Sequence, residues 1–280
     1  MATKNEGPMA LARGFALLRL LATRPNGLNL SSIAAQLDVP KSSLAGTLKG
    51  LSDQGLIRRQ GALYLLGEEA LSLASMIMSG RSLRQIARPH LEKAMQECGE
   101  TVLLAEMGSG QTAFAYIDFV ETSKTIRFCA HIGEQRPLYP TACGRLFLAF
   151  MPDAERDAYF RKVKMAAVTD RTIVDRDKLE ELLETIRQDG ISVTMGDFSS
   201  DAAGFATPIR DASGAVCGGL VIGAPIARGK AENTRFRRIA KETAADISSV
   251  LGYVPEQDRA EPKGARPARK RASQGTGTTG

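Results

Sequence analysis

No stretch of the chain reaches the ~18–20 uninterrupted apolar residues that a membrane-spanning helix needs. The amino terminus also lacks the charged, apolar and small-residue succession of a signal peptide. Both absences predict a cytoplasmic protein with no membrane partner. Histidine is scarce: His90 and His131 stand alone, neither in an HxxxH nor an HExxH spacing, which argues against a histidine metal site. The four cysteines, Cys98, Cys129, Cys143 and Cys217, form no CxxC pair, so neither a disulfide framework nor a cysteine-based zinc site is indicated, and reduced thiols are expected. No metal and no cofactor are expected.

Catalytic groupings are equally thin. Cys143 stands at a predicted helix start, where a thiolate is favoured, and with His131 upstream makes a conceivable nucleophile pair. Glu180, Glu181 and Glu184 fall on the solvated face of one helix, and Gly218-Gly219 lies inside a strand without phosphate-loop spacing. The expectation is of no enzyme.

What is present is an uneven distribution of charge. Net charge is +6, but residues 1–66 hold eight cations against three anions and residues 255–280 hold six against three. The long middle is therefore slightly acidic, and binding of a polyanion belongs to the ends.

At 280 residues the length suits two domains. Apolar spacing predicts a first helix over 9–23, broken by Arg24-Pro25-Asn26-Gly27. A short second helix over 32–37 follows, capped by Ser31 or the residue before it. Val39-Pro40 turns into a third helix over 41–54, closed by Gly55. Leu56–Arg59 and Leu63–Leu66 read as a basic hairpin, a wing.

Two connecting helices are expected, over 67–80 and from Ser82 to about Gly99. Strands follow at 101–107, 112–120 and 125–131, then helices at 141–150, 154–163 and 179–188. Further strands are expected near 191–195, 203–209 and 216–223, with a closing helix over 231–251. That order describes an α+β domain with a largely antiparallel sheet covered on one side by helices. Residues 1–8 and 255–280 are expected to be disordered.

The first 66 residues carry the nucleic-acid reading. In the third helix Leu44, Leu48 and Leu51 share one face, which turns Ser42, Gly46, Lys49 and Asp53 outward. Such a helix lies in the major groove with its first residues nearest the base edges, so Lys41, Ser42, Ser43, Gly46, Thr47 and Lys49 are candidate contacts to double-stranded DNA, with Ser31 and Ser32 from the helix before. Arg58 and Arg59 on the wing suit backbone phosphates or the minor groove, adding affinity without much sequence information. The competing reading is a protein-docking module with a solvated basic face, attached to a metabolite-binding or enzymatic domain.

Several segments, in order, carry a wider resemblance: Arg13-Gly14-Phe15, Gly27–Ala34, Val39–Ser43, Gly55-Leu56-Ile57, Ala87–Leu91, Gly99–Val102, Pro140–Arg145 and Ala206–Asp211. Together they resemble the isocitrate-lyase-regulator (IclR) family of bacterial transcription factors, from about Met9 to Tyr253. The resemblance implies a winged helix-turn-helix over 9–66, a helical linker over 67–82 and a GAF-like effector-binding domain over 83–254. It also implies homodimers or dimers of dimers on paired half-sites. The chain departs from the family at Gly46, where arginine is common, and at Thr47, where leucine is.

Family members that bind small carboxylates use main-chain amides of the loop that corresponds to Ala142, Cys143 and Gly144 here, at a helix start after Thr141. An ungapped alignment places the remaining pocket positions at Thr194, Gly204, Val221 and Gly223. Most of those positions are apolar or glycine, so the pocket loses the acid, the thiol and most of the hydroxyls that suit a small keto acid. The resemblance therefore implies a larger effector, an aromatic organic acid, with its carboxylate or carbonyl toward 142–144. The alternative is a packed, glycine-rich core that binds nothing.

Overall fold

The computed structural model describes residues 7–255 except 79 and 81. Of the residues expected to be disordered, 1–8 and 255–280, positions 1–6 and 256–280 lie outside the described residues, while Gly7 and Pro8 belong to the first helix.

Three helices and a small sheet form the amino-terminal unit. Helix α1 (Gly7–Ala22) contributes Leu17 and Leu21 to a core completed by Ile33, Leu44, Leu48 and Ile57. Helix α2 (Leu30–Gln36) begins two residues earlier than expected, and its cap is Asn29, whose Oδ1 accepts from the Ser32 amide at 2.9 Å. Neither Ser31 nor Leu30 caps it, because both already lie inside the helix.

The turn after α2 holds Asp38 in the left-handed region at φ 51°, so that the Val39 amide reaches back to the Ala34 carbonyl at 3.0 Å. A short polar side chain tolerates that backbone better than most residues other than glycine. Pro40 at φ −56° then opens α3 (Lys41–Asp53) with the torsion its ring prefers. A two-residue strand β1 (Leu28–Asn29) joins the wing strands β2 (Ile57–Gln60) and β3 (Leu63–Leu66) in the order β1-β3-β2.

Helix α4 (Glu68–Met78) leads to α5 (Leu83–Cys98), which opens with a reciprocal cap between Ser82 and Gln85 and closes at Gly99, φ 69°. The carboxy-terminal unit is a six-stranded, wholly antiparallel sheet in the order β6-β5-β4-β9-β8-β7. Its strands are β4 (Thr101–Met107), β5 (Ala113–Val120), β6 (Gln135–Pro137), β7 (Ser192–Met195), β8 (Ala202–Arg210) and β9 (Val216–Pro225).

Helices cover both faces of this sheet, not one as expected. On one side α6 (Ala142–Phe150) packs on the strands, and α7 (Asp153–Lys162) and α8 (Arg176–Asp189) join it in one core with Leu103, Phe114, Ala206 and Val221. On the other, α5 and α10 (Asn233–Val250) pack on Val102, Leu104, Phe205 and Ile222. The sequence carried this signal: residues 101–105 of β4 and 218–224 of β9 are buried without alternation, the pattern of strands enclosed on both faces.

Two further expectations are corrected. Residues 125–131 alternate like a strand but form none; the sheet edge beside β5 is taken by β6, and the segment crosses the sheet instead, with the Phe128 carbonyl accepting from Thr101 Oγ1 at 2.8 Å. The closing helix expected over 231–251 is α10, but an unexpected short helix α9 (Ile226–Ala231) precedes it.

Candidate nucleic-acid interface and effector cavity

Helix α3 buries Leu44 and Leu48 and leaves Lys41, Ser42, Ala45, Gly46 and Lys49 exposed, with Ser43 and Thr47 half-buried. Ser31 is exposed and Ser32 half-buried at the start of α2. Not all of these face one way with free side chains. Lys49 is paired with Asp53 one turn on, Nζ to Oδ2 at 2.6 Å. Gly46 and Thr47 border an apolar groove that also involves Gly50, Leu51 and, from α1 and α4, Leu11, Phe15 and Leu73.

On the wing, Arg59 is held by its own hairpin: its Nε donates to the Gly61 carbonyl at 2.9 Å and its guanidinium stands 5.8 Å from the ring centre of Tyr64, its partner across the strand pair. Arg58 is exposed, and its Nη1 donates to Gln60 Oε1 at 3.2 Å.

In the second unit, Thr141, Ala142, Cys143, Thr194, Gly204, Val221 and Gly223 line one cavity of about 50 Å³ at the start of α6. Strand register explains the convergence. Thr194, Gly204, Gly223 and Thr101 are successive partners across β7, β8, β9 and β4, so a single row crosses four strands with two glycines in its middle. At Gly204 a Cβ would lie 3.1 Å from the Ala142 Cβ, so the missing side chain lets α6 settle on the sheet. At Gly223 a Cβ would lie 2.6 Å from the Phe128 ring, which rests where a side chain would otherwise stand.

The start of α6 supplies the polarity. Thr141 caps the helix, its Oγ1 accepting from the Gly144 amide at 3.1 Å and donating to the Pro137 carbonyl at 2.8 Å. The amides of Ala142 and Cys143 belong to the first turn, which a helix cannot satisfy internally and which attracts anions. Gly144 departs from expectation. Its amide is taken by the cap, it does not line the cavity, and a Cβ on it would lie 2.2 Å from Leu138, so it is a close-packing residue.

Burial pushes the Cys143 thiol well above its usual range, and His131 is exposed on the crossing loop. A protonated, enclosed thiol is a packing group and not an activated nucleophile.

Sequence reasoning missed the aromatic and cationic part of the lining: Tyr116, Phe128, Arg136, Phe198 and Ser199, with Ala202 and Ala203 beside Gly204. Arg136 gives Nη2 to Glu134 at 2.9 Å, lies 5.5 Å from the ring centre of Phe198, and has a buried Nε without a partner.

Two buried ionic clusters hold the walls. Glu100, 1% exposed, receives Lys124 at 2.8 Å and Arg228 at 2.6 and 2.9 Å, while Arg228 also donates to the Ile126 carbonyl at 2.7 Å. This ties the crossing loop to α9. Asp197 accepts from Arg145 and from the Met195 amide, fixing the turn that carries Phe198.

Residues 10–61 match the sequence profile described as the IclR helix-turn-helix domain, and residues 75–249 match the bacterial transcriptional regulator IclR C-terminal profile. The chain belongs to the IclR family. It is 29% identical to the HTH-type transcriptional regulator KipR of Bacillus subtilis, over 91% of this chain and 100% of that protein. Among solved structures, the Thermotoga maritima IclR is 28% identical with a TM-score of 0.58, over 88% of this chain and all of that one. The Agobacterium tumefaciens repressor BlcR is 25% identical with a TM-score of 0.75, over 90% of this chain and all of that one.

As a member of the IclR family the chain is a transcriptional regulator with a DNA-binding helix-turn-helix and an effector-binding carboxy-terminal domain. Among the described residues no helix is long and apolar enough to cross a membrane.

Proposed function

We propose that this IclR-family regulator is a cytoplasmic, non-enzymatic switch that releases or engages DNA according to an aromatic organic acid in the α6 cavity. The observation that carries the effector half is the cavity itself: an apolar, aromatic-sided space whose inner end is the first turn of a helix. Such a site favours a flat body with an oxyanion or carbonyl at one end.

The DNA half rests on α3 and the wing. Ser42 and Ser43, at the start of α3, are the base-reading candidates, and Arg58 is the freer of the two wing cations. Phosphate contacts position the protein, while the helix start specifies the sequence.

Two copies are needed for paired half-sites. Supporting this, Leu11, Phe15, Leu71, Leu73, Met76 and Ile77 on α1 and α4 are between 48% and 64% exposed, an apolar surface that a second copy of the chain suits.

Mobility shift and footprinting on the DNA upstream of this gene and its neighbours, with salt varied, test the reading. Paired protected half-sites whose occupancy changes with an aromatic acid are expected. Equal binding to those fragments and to random duplex, with or without acids, would overturn it.

A further inference from the structure

We infer that Arg136 is the residue through which the cavity selects a carboxylate, binding it side-on through Nε and Nη2 in place of Glu134. This rests on the reading of the cavity as an effector site and adds the chemistry of the effector's outer end.

Three observations meet at this side chain. The Nε of Arg136 is buried without a hydrogen-bond partner, an arrangement that folded proteins seldom leave in place unless a ligand or water completes it. On the same edge of the guanidinium, Nη2 holds Glu134 by one oxygen at 2.9 Å, and Glu134 is 42% exposed, so that pair is easily exchanged. Finally, Arg136 stands where two clefts meet, since with Phe128, Phe198, Ser199 and Ala202 it lines both the cavity and an outer cleft of about 330 Å³.

Carboxylate geometry fits the two parallel N–H groups on that edge of an arginine. A ligand acid arriving from the outer cleft displaces Glu134, fills the empty Nε and leaves its ring against Phe198 and Phe128. The amides of Ala142 and Cys143 then remain for a second oxygen at the far end of the ligand. The class of ligand is an aromatic carboxylic acid with a hydroxyl, carbonyl or second acid group across the ring.

Calorimetric titration of the full chain with benzoate, 4-hydroxybenzoate and their neutral carboxamides tests this. The acids are expected to bind roughly tenfold or more tighter than the amides. Arg136→Met should bring that ratio close to one, and Arg136→Lys should restore only part of it, because a point charge lacks the fork. Glu134→Gln should tighten the acids and leave the amides unchanged, an effect that a merely structural role for Arg136 does not produce. An unchanged ratio in folded Arg136→Met, or acids unaffected by Glu134→Gln, overturns the assignment while leaving the effector cavity intact. If neither acid binds at millimolar concentration, the cavity reading falls together with it.

Discussion

Arg145, 1% exposed, donates from Nη1 to Asp197 Oδ1 at 2.6 Å, joining the first turn of α6 to the turn between β7 and β8. The same arginine holds the Tyr139 carbonyl through Nε at 2.7 Å, and Asp197 holds the Met195 amide at 2.8 Å. Helix start and Phe198 turn, the two sides of the cavity, are thus one ionic unit.

Removing one member of a buried pair costs more than the pair contributes, because the remaining charge is stranded. Asp197→Ala is therefore expected to destabilise the carboxy-terminal unit by roughly 3 kcal/mol. The measurement is the urea midpoint of its unfolding transition followed by circular dichroism. A loss below about 1 kcal/mol, the scale of a solvent-exposed pair, would mean that the pair is not holding the turn.

Much of this arrangement was legible in the sequence where local chemistry and period agree. The leucines of α3, the Pro40 start and the Thr141 cap each mark their element by residue type and spacing. The cavity positions Thr194, Gly204, Val221 and Gly223 came only through a family alignment, because glycines and other strand residues carry no local signal for what lies above them. Residues 125–131 misled because Ile126, Phe128 and Ala130 alternate as in a strand. The alternation is real, but on this loop Phe128 turns toward the cavity while Ile126 stays exposed. Arg136 and Phe198 meet from distant segments, which no local pattern reports.

Buried thiols give the fold an alkaline limit. Burial pushes Cys98 up to about 11 and Tyr159 up to about 12, and Cys143 is also raised. In the unfolded chain a thiol ionises near ~8.5. Below that pH both states keep the proton and stability is unaffected by these groups. Between there and about 11 the unfolded chain releases protons that the folded Cys98 retains, so stability falls as pH rises, by roughly 2–3 kcal/mol for Cys98 once pH reaches the folded value. Urea midpoints at pH 7.5 and 10 should differ in the parent chain and differ less in Cys98→Ala. A parent midpoint that is flat over this range would rule the account out.

The wing and α3 should separate in their effects on DNA. Arg58 is exposed and hydrogen-bonded to the Gln60 side chain, whereas Arg59 is committed to Gly61 and Tyr64. Arg58→Ala should weaken binding about equally for operator and random duplex and flatten the slope of log affinity against log salt by about 0.9, the value of one lost phosphate contact. Ser42→Ala should instead weaken the operator more than random duplex. Footprint titrations at several salt concentrations measure both, and a sequence-selective loss in Arg58→Ala would reverse the assignment of roles.

The apolar face of α1 and α4 makes the last prediction. Phe15 is 59% and Leu73 48% exposed, and both line the groove bordered by Gly46 and Thr47. Replacing exposed apolar residues by aspartate has little effect on an isolated fold, since no core is opened. At a face shared by two copies, the same change places uncompensated charge in the interface. Phe15→Asp combined with Leu73→Asp is expected to convert the protein to monomer in sedimentation velocity, with its circular dichroism retained. Binding to a paired half-site should then fall by roughly tenfold or more, because each unit must engage independently. A double variant that still sediments as the parent assembly would place the contact between copies elsewhere on the chain.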